Sequence, residues 1–435
     1  MRLAILDFAG HPALTVTDGE AVVRRAGELF EALFGQRVAL EFVGRYEGYD
    51  AFDRFVPEGE RPDRSAEPGR ASVAKMRAGL EQSLKGTRVL GLETIVPDGP
   101  VGFRAGEIVE RYLVRRRELV KDLGLEGQPA ARRSLVSLAS FDRMMRSRAP
   151  WDVMVTNMPQ LYSPEDGSAL HAVLRGGLIG GFTIWSNPRK PPGSSLMVTS
   201  FPLDSTAAPV TELRGRPPLE SADRTETLVY LVTHELGHML LRLPDNYEHS
   251  NCLMRPPLDV RYLEWGRAVR APGCEECRRR ARRGAALHQA ELLGARGDVK
   301  AALAQWRTAI EGPPESGLYN NFAWFCAERS INLDEAWDYA RRAVELSPEN
   351  ASFLDTLGWV EFRRGRPAEA RAALERGLRY ASRRDDRSAV LYHLAVARAA
   401  LEGPAVGRPL LEEALKLGLA GEDATEARKL LGAAK

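Results

Sequence analysis

The stretch Thr233 to Met254 reads THELGHMLLRLPDNYEHSNCLM and opens with an HExxH motif, His234-Glu235-Leu236-Gly237-His238. On a helix, residues four apart share a face, so the two imidazoles point together and can grip one metal ion. Glu235 sits beside them, placed to take a proton from water on that metal. The apolar runs Leu228-Val229-Tyr230-Leu231-Val232 and Met239-Leu240-Leu241 flank the motif and predict a buried helix. Asp223 and Glu226 have capping-box spacing at its start. Pro244 stops it, because proline disfavours helix in the residue before it.

A catalytic zinc takes three protein ligands and keeps one position open. The third ligand is expected just after the helix, where Asp245, Glu248 and His249 compete. The cysteines bear on the choice. His249-x-x-Cys252 and Cys274-x-x-Cys277 are two ligand pairs about twenty residues apart, the spacing of a structural Cys3His zinc site. If His249 belongs there, Asp245 is left for the first metal. A disulfide between Cys274 and Cys277 is the competing reading of that pair.

HExxH, Cys252-Leu253-Met254 and Cys274-x-x-Cys277 together resemble the archaemetzincin pattern among the metzincin zinc peptidases, over Thr233 to Cys277. The resemblance implies a catalytic zinc, a structural zinc and a methionine turn at Met254 beneath the first metal. Departures are visible. Leu241 and Pro244 stand where the pattern HExxHxxGxxH has its glycine and third histidine, the loop to Cys252 is longer, and His249 takes the place of an earlier cysteine. The Leu243-Pro244-Asp245-Asn246-Tyr247 segment resembles the snapalysin-like variant, whose third ligand is an aspartate. By resemblance, His234, His238 and Asp245 hold the catalytic zinc, and His249, Cys252, Cys274 and Cys277 hold the structural one.

The chain has 435 residues, 44% hydrophobic and 28% charged, an ordinary globular mix long enough for two or three domains. A net charge of +2 gives no reason to expect a nucleic-acid or membrane partner. The basic run Arg278 to Arg283 reads as a solvated helix face. Four cysteines in this length argue against a disulfide scaffold, and Cys326 reads as a buried thiol. Asp7, Gly10 and His11 interrupt the N-terminal segment before a signal-peptide core could form, and no apolar run is long enough to span a bilayer. A cytoplasmic protein is expected. His11 and His171 stand alone in the sequence and read as surface or core residues.

In chain order, Leu3–Phe8 and Arg37–Val43 read as strands. Asp18–Phe34, with Ala21, Val22, Ala26, Phe30 and Leu33 on one face, reads as a helix, as do Ala71–Gln82 and Glu107–Gly124. Residues 1–148 form an N-terminal α/β region, either a unit of its own or the front half of the catalytic domain. Residues 149–284 carry three further strands, Trp151–Asn157, Leu178–Ile184 and Ser195–Ser200, and then the HExxH helix. By resemblance this is a metzincin-like zinc domain whose edge strand lines the substrate cleft. Pro57–Arg70, Asn187–Gly193 and Ala207–Pro218 read as loops.

From residue 285 to 435 the chain repeats with a period of 34. Phe325, Trp359 and His393 share one position, as do Ala302, Ala336 and Ala370, and Pro314 and Pro348. A 34-residue helix-pair period is the tetratricopeptide signature, and about four hairpins are expected, with atypical outer ones. The expected fold is an α+β metzincin-like zinc peptidase domain followed by an all-α tetratricopeptide-repeat array. The expected function is a zinc-dependent metallopeptidase that acts on a peptide or protein substrate and uses its repeats to bind a protein partner. The alternative is a zinc-binding scaffold without turnover that acts through its repeats.

Overall fold

The computed structural model describes residues 1–62, 68–85, 87–147, 149–163, 169–184 and 195–433. They form two compact units, Met1–Ala295 and Arg296–Lys435.

The first unit is built on a five-stranded sheet: β1 (Arg2–Asp7), β2 (Glu41–Glu47), β3 (Val153–Thr156), β4 (Gly181–Ile184) and β5 (Ser195–Thr199). Their order across the sheet is β2-β1-β3-β5-β4. The first four in that order run parallel, and β4 pairs antiparallel to β5 at the edge. Leu3, Ala4, Ile5 and Leu6 of β1 are fully buried, as a central parallel strand covered on both faces must be. Because β1 pairs with β3, Leu3 opposite Val153, the N-terminal region shares one sheet with the later strands, and no unit boundary falls at residue 148. The boundary after residue 284 also moves. The helix Glu275–Ala295 runs unbroken past it, with Gly284 pressed so closely on the Leu241 backbone that any Cβ would collide with that carbonyl.

The helix Val16–Phe34 crosses over between β1 and β2 and buries Val22, Ala26, Phe30 and Leu33 of the predicted face, with Ala21 at its margin and half-buried. Thr15 caps it, in a capping box with Asp18, and Gly35 ends it in the left-handed region. The HExxH helix spans Ser221–Leu241 and is buried along most of its length. It starts before the expected cap. Asp223 and Glu226 lie inside it, where both carboxylates accept from the Arg267 guanidinium at 2.8 and 2.7 Å. Ala208–Arg214 is a helix rather than a loop, with Pro209 in the first turn, where its missing N–H costs nothing. Asn187–Gly193 lies outside the described residues. A second apolar core joins the helices Arg70–Leu84, Val101–Asp122 and Leu170–Leu174 through Met76, Leu80, Ile108, Tyr112 and Val173, and Tyr247 packs against it.

The second unit contains three helical hairpins among the described residues, Ser316–Arg329 with Leu333–Leu346, Ala351–Arg363 with Pro367–Tyr380, and Arg384–Glu402 with Pro404–Lys416, flanked by the helices Val299–Ile310 and Gly421–Ala433. The period-34 alanine and ring positions lie in its core, while Pro314 and Pro348 are exposed. Ala302, Ala336 and Ala370 are fully buried, and the His393 ring lies 4.4 Å from that of Trp359. Cys326 is buried, as its setting implies. Among the described residues no helix is long and apolar enough to cross a membrane.

Candidate metal centre

His234 and His238 lie one turn apart on the buried helix, their Nε2 atoms 3.0 Å from each other. Each ring is fixed from behind. His234 Nδ1 lies 2.8 Å from the Leu253 carbonyl, and His238 Nδ1 lies 2.5 Å from the Leu243 carbonyl. A carbonyl only accepts, so each Nδ1 carries a hydrogen and each Nε2 is the atom that offers a lone pair when its ring is neutral. Asp245, in the loop after the helix, brings Oδ1 within 3.6 Å of His234 Nε2 and 3.3 Å of His238 Nε2. That oxygen is buried and makes no hydrogen bond. Three atoms able to ligate a metal thus converge on one point.

The distances suit a metal. A tetrahedral ion with bonds of about 2.0–2.1 Å sets its nitrogen and oxygen ligands about 3.3–3.4 Å apart, close to the separations above. The residues present therefore fit a zinc ion, with three protein donors at this cluster among the described residues.

Electrostatics follow from burial and crowding. Burial brings the His234 pKa down to about 4, and the neighbouring His238 adds to the effect. Burial also opposes charge on His238, but the Asp245 carboxylate overrides it and raises that ring to about 9. Against its own burial, Asp245 is held well below the usual carboxylate range by His171, His238 and His234.

Glu235 is buried, and that burial pushes its carboxyl up to about 7, with His238 and Thr183 pulling the other way. Thr183 on edge strand β4 donates to Glu235 Oε2 at 2.7 Å. Gly181, two residues earlier, lies against the same carboxylate: a Cβ there would stand 2.4 Å from Oε1. The edge strand therefore forms one wall of the Glu235 site. Met254 packs its sulfur beneath Gly237, where an added Cβ would be 2.6 Å away. It stands in a turn closed by Arg255 N–H to Cys252 O at 3.1 Å.

The second predicted cluster also assembles. His249 Nδ1 lies 3.2 Å from Cys274 Sγ, and Cys252 Sγ lies 3.7 Å from Cys274 Sγ and 3.6 Å from Cys277 Sγ. Sulfur ligands on a tetrahedral zinc, with bonds of about 2.3 Å, stand about 3.8 Å apart. All four cysteines are free thiols, so the Cys274–Cys277 disulfide reading is not realised. Contacts from the other two thiols favour a thiolate at Cys274, and the interaction with Cys274 raises Cys252 to about 11. His249 thus groups with the cysteines, and Asp245 with the imidazole pair. Glu248 takes no part in either and accepts from the Arg88 backbone N–H at 3.2 Å.

The sequence reading missed His171 and Thr183. His171 Nδ1 is 2.7 Å from the Tyr247 hydroxyl and 3.6 Å from Asp245 Oδ2. No local motif announces either residue, because their partners lie far along the chain. The basic run is as expected: Arg278, Arg279, Arg280 and Arg282 are exposed, and Arg279 and Arg280 pair with Glu276.

No family model matches the chain. A TPR repeat-containing protein of Pseudomonas aeruginosa is 30% identical over 104 residues, which make up 24% of this chain and 17% of that protein. Two solved structures also align. A thermophilic TPR protein of Thermus thermophilus is 20% identical, with 34% of this chain and 79% of that one covered and a TM-score of 0.29. The Pseudomonas aeruginosa pilF protein is 19% identical, with 37% and 80% covered and a TM-score of 0.29. The chain carries helical repeats of the tetratricopeptide kind, the part that the sequence likeness to the Pseudomonas protein supports.

Proposed function

We propose that this protein is a zinc-dependent peptidase of metzincin-like, archaemetzincin-resembling type whose C-terminal repeats bind a protein partner. The observation that carries the proposal is the convergence of His234 Nε2, His238 Nε2 and the hydrogen-bond-free Asp245 Oδ1 beside the buried carboxylate of Glu235. A zinc ion held there would acidify a water molecule and polarise a peptide carbonyl. Glu235 would take the proton of that water at its carboxylate and pass it to the leaving amine. Thr183 holds one oxygen of Glu235 in place, and β4, at the open edge of the sheet, offers backbone groups to an extended peptide. A cavity of about 190 Å³, lined in part by Leu84, Val89, Leu170, Asp245 and Tyr247, adjoins the centre and would take a substrate side chain. The second cluster has four ligands and no position to spare, the pattern of a structural site.

The zinc-loaded full chain should cleave an unfolded protein such as reduced casein, and Glu235→Gln should lose at least ~100-fold of that rate, the lower end of what a general base contributes, while keeping its zinc. Equal cleavage by the variant removes Glu235 from the mechanism. Absence of cleavage by the zinc-loaded wild type favours the scaffold alternative, for which the repeat array is the specific support.

A further inference from the structure

We infer that His171 is a positioning residue for the His234–His238–Asp245 centre: together with Tyr247 it holds the Asp245 carboxylate so that one oxygen faces the imidazole pair. The inference rests on the metal-centre reading above.

The two oxygens of Asp245 have separate neighbours. Oδ1 faces the two Nε2 atoms at 3.6 and 3.3 Å. Oδ2 faces His171 Nδ1 at 3.6 Å and the Tyr247 hydroxyl at 3.5 Å. The shortest contact of the group is between the Tyr247 hydroxyl and His171 Nδ1, 2.7 Å; the phenol's one hydrogen goes to Asp245 Oδ2, so the His171 Nδ1–H donates to the Tyr247 oxygen. Asp245 belongs to a loop, and a loop carboxylate has side-chain freedom that must be lost before it can serve as a fixed ligand.

His171 supplies a rigid reference. It sits on the helix Leu170–Leu174, whose Leu170, Val173 and Leu174 are embedded in the second apolar core. Tyr247 is tied to the same wall, its carbonyl accepting from the Leu90 N–H at 3.1 Å. The helices of residues 70–122 thus reach the centre through His171 and Tyr247. His171 is not itself grouped with the three donors, so it acts through its neighbours. Outer hydrogen-bond partners of this kind change metal affinity about 10–100-fold when removed.

The test is zinc affinity of the full-length chain, measured by competition with a chromogenic chelator, for wild type, His171→Ala, His171→Asn and Tyr247→Phe, each also in a His238→Ala background that keeps only the second cluster. The melting temperature of the metal-free proteins is recorded alongside. His171→Ala should weaken one of two zinc sites about 10–100-fold, His171→Asn should recover most of the loss by placing a polar atom where Nδ1 stood, and neither should matter in the His238→Ala background. Equal affinity of wild type and His171→Ala overturns the inference. So does a loss shared by both zinc sites, or one that merely tracks a fall in metal-free melting temperature. These readings need no turnover: a chain that shows the His171 effect but cleaves nothing would sink the peptidase proposal and leave this inference standing.

Discussion

At the scale of single residues, Glu235 is defined by what surrounds it. Thr183 donates to one carboxylate oxygen, and the absence of a side chain at Gly181 makes room for the other. A hydrogen bond to a charged group contributes about 1.5–3 kcal/mol. Thr183→Val should therefore cut the cleavage rate roughly 10-fold or more with zinc content unchanged, and Thr183→Ser should restore it. Steady-state kinetics with parallel metal analysis checks this, and a Val variant as fast as wild type would show that the threonine does not hold the base. Gly181→Ala puts a methyl group on the carboxylate and should impair cleavage at least as much. The HExxH trio was legible in the sequence because helical geometry alone brings i and i+4 together. Thr183 and His171 were not, since their partners lie 52 and 76 residues away and only the folded sheet and helices deliver them.

At the scale of elements, the HExxH helix is anchored to the helix Val16–Phe34 by a buried polar hub. Asp18 caps its own helix through Thr15 and also accepts from Thr225 at 2.5 Å, with Arg224 3.4 Å away. Burial alone would raise the Asp18 pKa, but the hydrogen bonds of Thr225 and Thr15 and the Arg224 charge outweigh it and leave the carboxyl below its ordinary value of 3.8. A depressed folded-state pKa stabilises the protein above the unfolded value, and the gain is lost as pH falls through the folded value. Asp18→Ala should therefore lower stability at pH 7 by roughly 1–3 kcal/mol, and the gap from wild type should shrink below about pH 4. Denaturant titrations at both pH values test the sign; a gap that widened in acid would contradict it. Prediction of elements failed where local signals misled. Asp223 and Glu226 look like a cap, but their carboxylates serve Arg267, forty residues on, while the helix begins at Ser221. The proline-rich segment at 207–218 hides a helix because proline is tolerated in a first turn.

At the scale of the whole molecule, each unit has its own logic. The sheet of the first unit joins β1 to β3 across 150 residues, so the N-terminal region is part of the body that carries the candidate metal centre, a pairing that no periodicity in the sequence specifies. The second unit was readable because its contacts recur at one interval, with the same small residue returning to the same crowded position. Ala340 and Ala343 are fully buried between helices. Ala340→Leu should overpack that interface and cost about 1–3 kcal/mol, seen as a lower unfolding midpoint for the helical signal of the second unit; an unchanged midpoint would mean that the helices do not pack as described.

Two clusters of residues able to hold a metal share seven side chains between them, and the function proposed for the first unit stands or falls with that division. Zinc content per chain, measured by elemental analysis of the purified wild type beside His238→Ala and Cys277→Ser, addresses it most directly. The expected result is two zinc ions in the wild type and one in each variant, with the ion left in His238→Ala bound by thiolates. A wild type with a single zinc, or a His238→Ala chain that keeps two, would contradict it.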